Sequence, residues 1–125
     1  MSTLVTSNIS DGTTSVGTGY VVNGSAKAWC EATYSGGSPT NTNSLNVSSL
    51  TDVSVGGIGY NLSSAMASNN ISQSASAQFA GLTGTCFNMV ERTGRTTTYV
   101  LQNHYQNAAQ ADPNSMHMAV HGDLA

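Results

Sequence analysis

Apolar and polar residues alternate with a period of two along much of this chain, and that pattern limits the fold more than any other feature. Ala26, Ala28, Cys30 and Ala32 alternate with Lys27, Trp29, Glu31 and Thr33. Ala75, Ala77 and Phe79 alternate with Ser74, Ser76 and Gln78, and Met116, Met118 and Val120 share one side of a run that also holds His117 and His121. Successive side chains of a strand point to opposite faces, so each run predicts a strand with one face on a core and the other toward water or another subunit. Further strands are predicted at 4–9, 17–22, 44–51, 58–65, 85–91, 95–102 and 115–121. Turn chemistry separates them at Ser35-Gly36-Gly37-Ser38-Pro39, Gly56-Gly57, Asn69-Asn70, Gly81-Leu82-Thr83-Gly84 and Thr93-Gly94. Many short strands with regular turn signals predict an all-β sandwich or barrel, here an antiparallel β-sandwich of jelly-roll-like form.

Charge narrows the partners. The 125 residues suit one domain, are 7% charged and 38% apolar, and carry a net charge of −3. That combination favours order, because disordered chains pair low hydrophobicity with high net charge. Three basic residues are too few to neutralise a run of phosphates or to hold an anionic membrane surface, so neither nucleic acid nor membrane insertion is expected. No apolar run reaches transmembrane length, and Met1 to Ser7 lacks the features of a secretory signal, which predicts synthesis in a cytoplasm. Neutral polymers, sugars above all, remain as partners.

Cys30 and Cys86 permit one disulfide, but both fall in predicted strands and read as small buried hydrophobes in a reducing compartment. His117 and His121, four apart, share a face and are the weak candidates for a metal; no metal or other cofactor is expected. The six acids are scattered, with Glu91 beside Arg92 read as a solvated cluster at the Thr93-Gly94 turn. No nucleophile elbow is present, so the chain is read as a non-enzyme, a small carbohydrate-directed enzyme being the least favoured of three classes.

The segments Asn23-Gly24-Ser25-Ala26-Lys27-Ala28-Trp29 and Ser44-Leu45-Asn46-Val47-Ser48-Ser49-Leu50-Thr51-Asp52, then Gly59-Tyr60, Ala65-Met66, Asn69-Asn70 and a closing Gly122-Asp123, occur in that order. Together they resemble a β-structured module at the C-terminal ends of tailed-bacteriophage tail fibres and related virion proteins. The resemblance touches about two thirds of the chain, discontinuously. It implies a homotrimeric tip located in the virion and assembled in the host cytoplasm. The implied partners are other tail or virion proteins and a receptor, a host-surface glycan. Residues 1–23 then form a stem, linker or intertwined strand, with residues 24–125 as the sandwich tip; a terminal strand of the same sheet is the other reading of 1–23. A purely structural trimerisation cap, binding nothing, is the alternative function.

The candidate receptor-facing residues are Tyr34, His104, Tyr105, Asn107 and Asp112. Most lie in the polar stretch 103–114, where 106–111 is predicted to form a short helical turn stopped by Pro113. A plain solvated connection explains that stretch equally simply. A tyrosine at a loop edge can stack on a sugar and hydrogen-bond to it. Trp29, Ala28, Cys30 and Phe79 are the candidate core or subunit-interface residues. Either Trp29 fills the core while the small residues meet another subunit, or the reverse.

Overall fold

In the computed structural model, which describes residues 5–79 and 86–125, the period-two pattern becomes two facing antiparallel sheets. In chain order the elements are β1 (Asn8–Ser10), β2 (Ser15–Gly17), α1 (Thr18–Gly24), β3 (Ala28–Ser35), β4 (Ser38–Leu45) and β5 (Val47–Ser54). There follow β6 (Gly57–Leu62), β7 (Ser72–Gln78), β8 (Cys86–Thr96), β9 (Tyr99–Gln106), β10 (Ala109–Gln110) and β11 (Ser115–His121). The first sheet has the order β4-β3-β11-β7. The second runs β8-β9-β6-β5, with β10 beside β9 where β6 has ended. The hairpin of β1 and β2 is a third, separate sheet.

One apolar cluster lies between the two large sheets. The first contributes Ala28, Cys30, Ala32, Met116, Met118 and Val120; the second contributes Val47, Ile58, Tyr60, Leu62 and Val100. Small residues on β3 leave room for the bulk of Tyr60, Ile58 and Met116, so the layers interdigitate. The ambiguity over Trp29 is thereby decided: Ala28 and Cys30 line this chain's own core, while Trp29 faces outward, 37% exposed, opposite Leu45 of β4. Cys30 is a free thiol, its pKa pushed up to about 11 by burial and then by the charge of Glu31, so it behaves as a hydrophobe. The side chain of Cys86 lies outside the described residues.

Four sequence-based expectations are corrected. Residues 17–22 are not a strand: Thr18–Gly24 is helical, its backbone satisfied by local bonds such as Ser25 N–H to Val21 O. Residues 44–51 are split at Asn46, whose φ of 57° turns the chain from the first sheet into the second. Asn46 is fixed there by Ser64, whose N–H donates to Oδ1 at 2.6 Å while Nδ2 donates to Ser64 O at 3.2 Å. The turn expected at Thr93-Gly94 is instead a register shift within β8, with Gly94 at φ 82°, and the chain reverses after Thr96. Glu91 accordingly is no solvated turn residue: its Oε2 accepts from Asn103 Nδ2 at 2.8 Å.

The fourth correction is to 103–114. No helical turn forms; β9 continues to Gln106, and Asn107 and Ala108, at φ 51° and 66°, make a two-residue hairpin turn back into β10. The stretch reads as loop because it is polar, yet its polar groups are used inside. Val100, Gln102 and His104 form the inward face of β9, all 2% exposed or less. Tyr60 Oη donates to Gln102 Oε1 at 2.9 Å, and Gln102 Nε2 donates to Ser76 O of β7 at 3.1 Å. That pair of bonds joins one sheet to the other through the core.

Candidate functional site: a polar recess at one end of the sandwich

Three connections converge at the far end of β3. The β3–β4 turn supplies Gly36 and Gly37, at φ 62° and 84°; the link from β10 to β11 supplies Asp112, Pro113 and Asn114; the chain leaving β7 supplies Phe79. With Tyr34 from β3, Gly37, Phe79, Asp112, Pro113 and Asn114 line an open recess of about 370 Å³.

Backbone bonds fix this end. Tyr34 N–H donates to Asn114 O at 3.0 Å, and Asn114 N–H donates to Gln78 O at 2.9 Å, so the 111–114 link is sewn between β3 and β7. On its other side, His104 N–H donates to Gly56 O at 2.8 Å, and Gly56 N–H donates to Asp112 Oδ1 at 2.6 Å. The Asp112 carboxylate is therefore oriented by a charge-assisted bond. Its Oδ2 lies on the Gly37 side, where a Cβ on that glycine would come within 3.7 Å of it.

Tyr34 Oη is buried and has no hydrogen-bond partner. Burial, then the charges of Asp112 and Asp52, push its ionisation well above the usual tyrosine range, so it stays a neutral hydroxyl with a proton to donate. His104 is 2% exposed, stacked on Phe79 with ring centroids 6.0 Å apart and planes 19° apart. Its Nδ1 lies 3.1 Å from Asn88 Oδ1; a carbonyl oxygen only accepts, so Nδ1 carries the proton, leaving Nε2 buried as an unpartnered acceptor.

Burial lowers the His104 pKa from its ordinary 6.5. The unfolded chain takes up this proton first as pH falls, so the stability associated with neutral His104 is complete above the unfolded value and drains away below it, until the folded value is passed. Urea midpoints should fall between about pH 7.5 and about pH 5, and His104→Gln should flatten part of that slope. An unchanged slope in the variant would show that other groups set it.

The sequence-predicted residues divide. Tyr34 and Asp112 meet in the recess, 78 positions apart in the chain, and Phe79, read as a core or interface residue, forms one of its walls. His104 does not face outward; it backs Phe79 from inside. Tyr105 stacks on Phe87 on the outer face of the second sheet, centroids 5.0 Å apart, and Asn107 is exposed at the hairpin tip; neither lines the recess. Gly37 is a recess residue that the sequence reading passed over as turn chemistry, while Pro113 and Asn114 fell within the candidate stretch 103–114 without being singled out. His117 and His121 have separate neighbours, Ser115 Oγ at 3.2 Å and Gly24 O at 3.1 Å. Among the described residues no three His, Cys, Asp or Glu side chains gather as metal ligands, and no helix is long and apolar enough to cross a membrane.

No protein-family model, no curated protein and no solved structure matches the chain. Its class rests on its own architecture: an all-β, two-sheet antiparallel sandwich with a polar recess at one end.

Proposed function

We propose that the chain is the tip of a bacteriophage tail fibre or related virion appendage, a homotrimer joined to other tail proteins, which binds a host-surface polysaccharide. The observation that supports this reading is the contrast between the two ends of β3. At its start the chain carries an apolar segment with no core of its own. Val5 is 90% exposed, Tyr20 80% and Val22 57%, and α1 has no buried residue. A hairpin of three-residue strands and a seven-residue helix do not hold their shape alone in water, so neighbouring chains are needed to cover them.

Hydrogen bonds join this segment to the start of β3 and the end of β11. Lys27 N–H donates to Val120 O at 2.7 Å, Lys27 Nζ donates to Val22 O and Ser25 Oγ, and His121 Nδ1 reaches Gly24 O. At the other end of β3, eight residues or roughly 25 Å away, lies the polar recess. One end suits assembly and the other suits contact with something outside. The exposed Trp29 and Leu45 pair favours the second reading, a structural capping component whose side face is also covered.

Light scattering coupled to size exclusion tests the assembly. The whole chain should have the mass of three copies, and the double substitution Tyr20→Ser, Val22→Ser should reduce it to one without loss of the β-sheet circular-dichroism signal. A wild-type chain that runs as a monomer at tens of micromolar would remove the fibre reading.

A further inference from the structure

Resting on the receptor-binding reading above, we infer that the recess at the far end of β3 takes a primary ammonium group, that of an amino sugar in the host polysaccharide, between the Asp112 carboxylate and the Phe79 ring. The carboxylate is already oriented. Gly56 N–H donates to Oδ1 at 2.6 Å, and Oδ2 lies on the Gly37 side, where a Cβ on that glycine would come within 3.7 Å of it. Among the described residues Oδ2 has no donor of its own and Asp112 has no ion-pair partner. A half-buried carboxylate with an acceptor to spare favours a cation that brings its own N–H groups.

The distribution of charge along the fold gives the same answer. Lys27 lies at the opposite end of β3, donating to Val22 O and Ser25 Oγ. Arg92 and Arg95 occupy the part of β8 that runs toward Thr96, opposite Tyr99 at the start of β9. The recess adjoins the other end of β9, where His104 N–H bonds Gly56 O, and none of the six lining residues is Lys, Arg or His. The field of Asp112 is therefore not cancelled locally, and Asp52, whose charge also acts on Tyr34, adds to it. An ammonium is drawn in and a carboxylate or phosphate is repelled. Tyr34 packs against the core with Oη buried, so it offers the recess ring surface and not its hydroxyl. Phe79 supplies a second ring, with His104 stacked on it, and a cation within about 6 Å of a ring centroid is attracted to the π system. The volume, about 370 Å³, is near the lower end for small-molecule clefts and suits one sugar ring. A neutral hydroxyl can also bond Oδ2 but brings no charge, and a quaternary ammonium brings charge but no N–H. Affinity is modest per chain and rises with linked copies.

The test is an NMR titration of the whole chain at about pH 6, where an ordinary amine is protonated, with methyl glucosaminide, methyl N-acetylglucosaminide, methyl glucuronide and choline. Methyl glucosaminide should move the amide signals of Gly37, Asp112 and Asn114 saturably and lose affinity several-fold between about 20 and about 200 mM salt; its N-acetyl form and the glucuronide should not titrate them. Asp112→Asn keeps an acceptor for Gly56 N–H but removes the charge, and should weaken the glucosaminide at least about tenfold. Phe79→Leu should weaken it about two- to fivefold. No movement of the recess amides by glucosaminide, equal binding of the N-acetyl form, or full affinity in Asp112→Asn overturns the inference. Choline bound as tightly as the glucosaminide overturns the amino-sugar assignment while keeping an ammonium site. Saturable shifts confined to another surface, such as Phe87 and Tyr105, overturn the recess assignment and leave the receptor-binding tip intact. A monomeric mass with normal recess titration overturns the fibre reading and leaves this site standing.

Discussion

Gly56→Ala should destabilise the fold by roughly 3 kcal/mol, the sum of a left-handed backbone penalty of about 1–2 and an overpacking penalty of about 1–3. Gly56 sits at φ 69°, and a Cβ there would lie 2.6 Å from both Ala111 O and His104 O and 2.9 Å from Ala111 N. These are backbone atoms, so no side-chain rotation relieves the contact. The same residue gives its N–H to Asp112, so whatever folds should also have a displaced carboxylate and a damaged recess. Gly36→Ala is the control: its φ is 62°, but a Cβ would meet nothing within 4 Å, so only the backbone penalty of about 1 kcal/mol applies. Urea denaturation of the three chains measures both numbers. Equal losses at Gly56 and Gly36 would show that the close approach of the 104–111 backbone is not maintained in solution.

The bridge through the core should be the second sensitive point. Tyr60 is wholly buried, and Tyr60→Ala should cost roughly 3–5 kcal/mol as a large cavity opens between the sheets. Tyr60→Phe keeps the ring but leaves Gln102 Oε1 without its donor, at a cost of about 1–3 kcal/mol. Gln102→Leu strands both the Tyr60 hydroxyl and the Ser76 carbonyl and should cost a similar amount. In the double variant Tyr60→Phe, Gln102→Leu, the shared bond is lost only once, so its cost should fall short of the sum of the singles by about 1 kcal/mol. Strict additivity would mean that the two side chains do not act as a unit.

Much of the fold is legible in the sequence because strand periodicity is a local signal. The β11 pattern predicts which side chains point inward, and the order of burial along β7 follows its serine and alanine alternation; on β3 the alternation marks two faces without saying which is the inner one. The misreadings occur where a local signal has two physical meanings. Polar residues from 103 onward suggest a loop when their partners are unknown; with Glu91 and Asn88 in place, Asn103 and His104 belong to a strand, His104 on its inner face. Val21 and Val22 suggest a strand by preference, but that preference is weak and context-dependent, and here the backbone bonds locally as a helix.

The recess divides along the same line. A tyrosine beside a Gly-Gly turn and an aspartate before a proline are visible as loop-edge candidates. Their meeting depends on β3 pairing with β11 and on the Asn114 carbonyl accepting from Tyr34, contacts that span most of the chain. The sequence by itself determined the all-β class, the two-faced alternation of its strongest strands and the scarcity of charge, because alternation and composition need no knowledge of distant neighbours. Only the tertiary structure decided that Trp29 faces out, that His104 is buried, and that Tyr34, Phe79 and Asp112 share one cavity. The physical reason is that burial and hydrogen-bond partnership belong to pairs of residues, and the pairs are made by strand register and sheet packing.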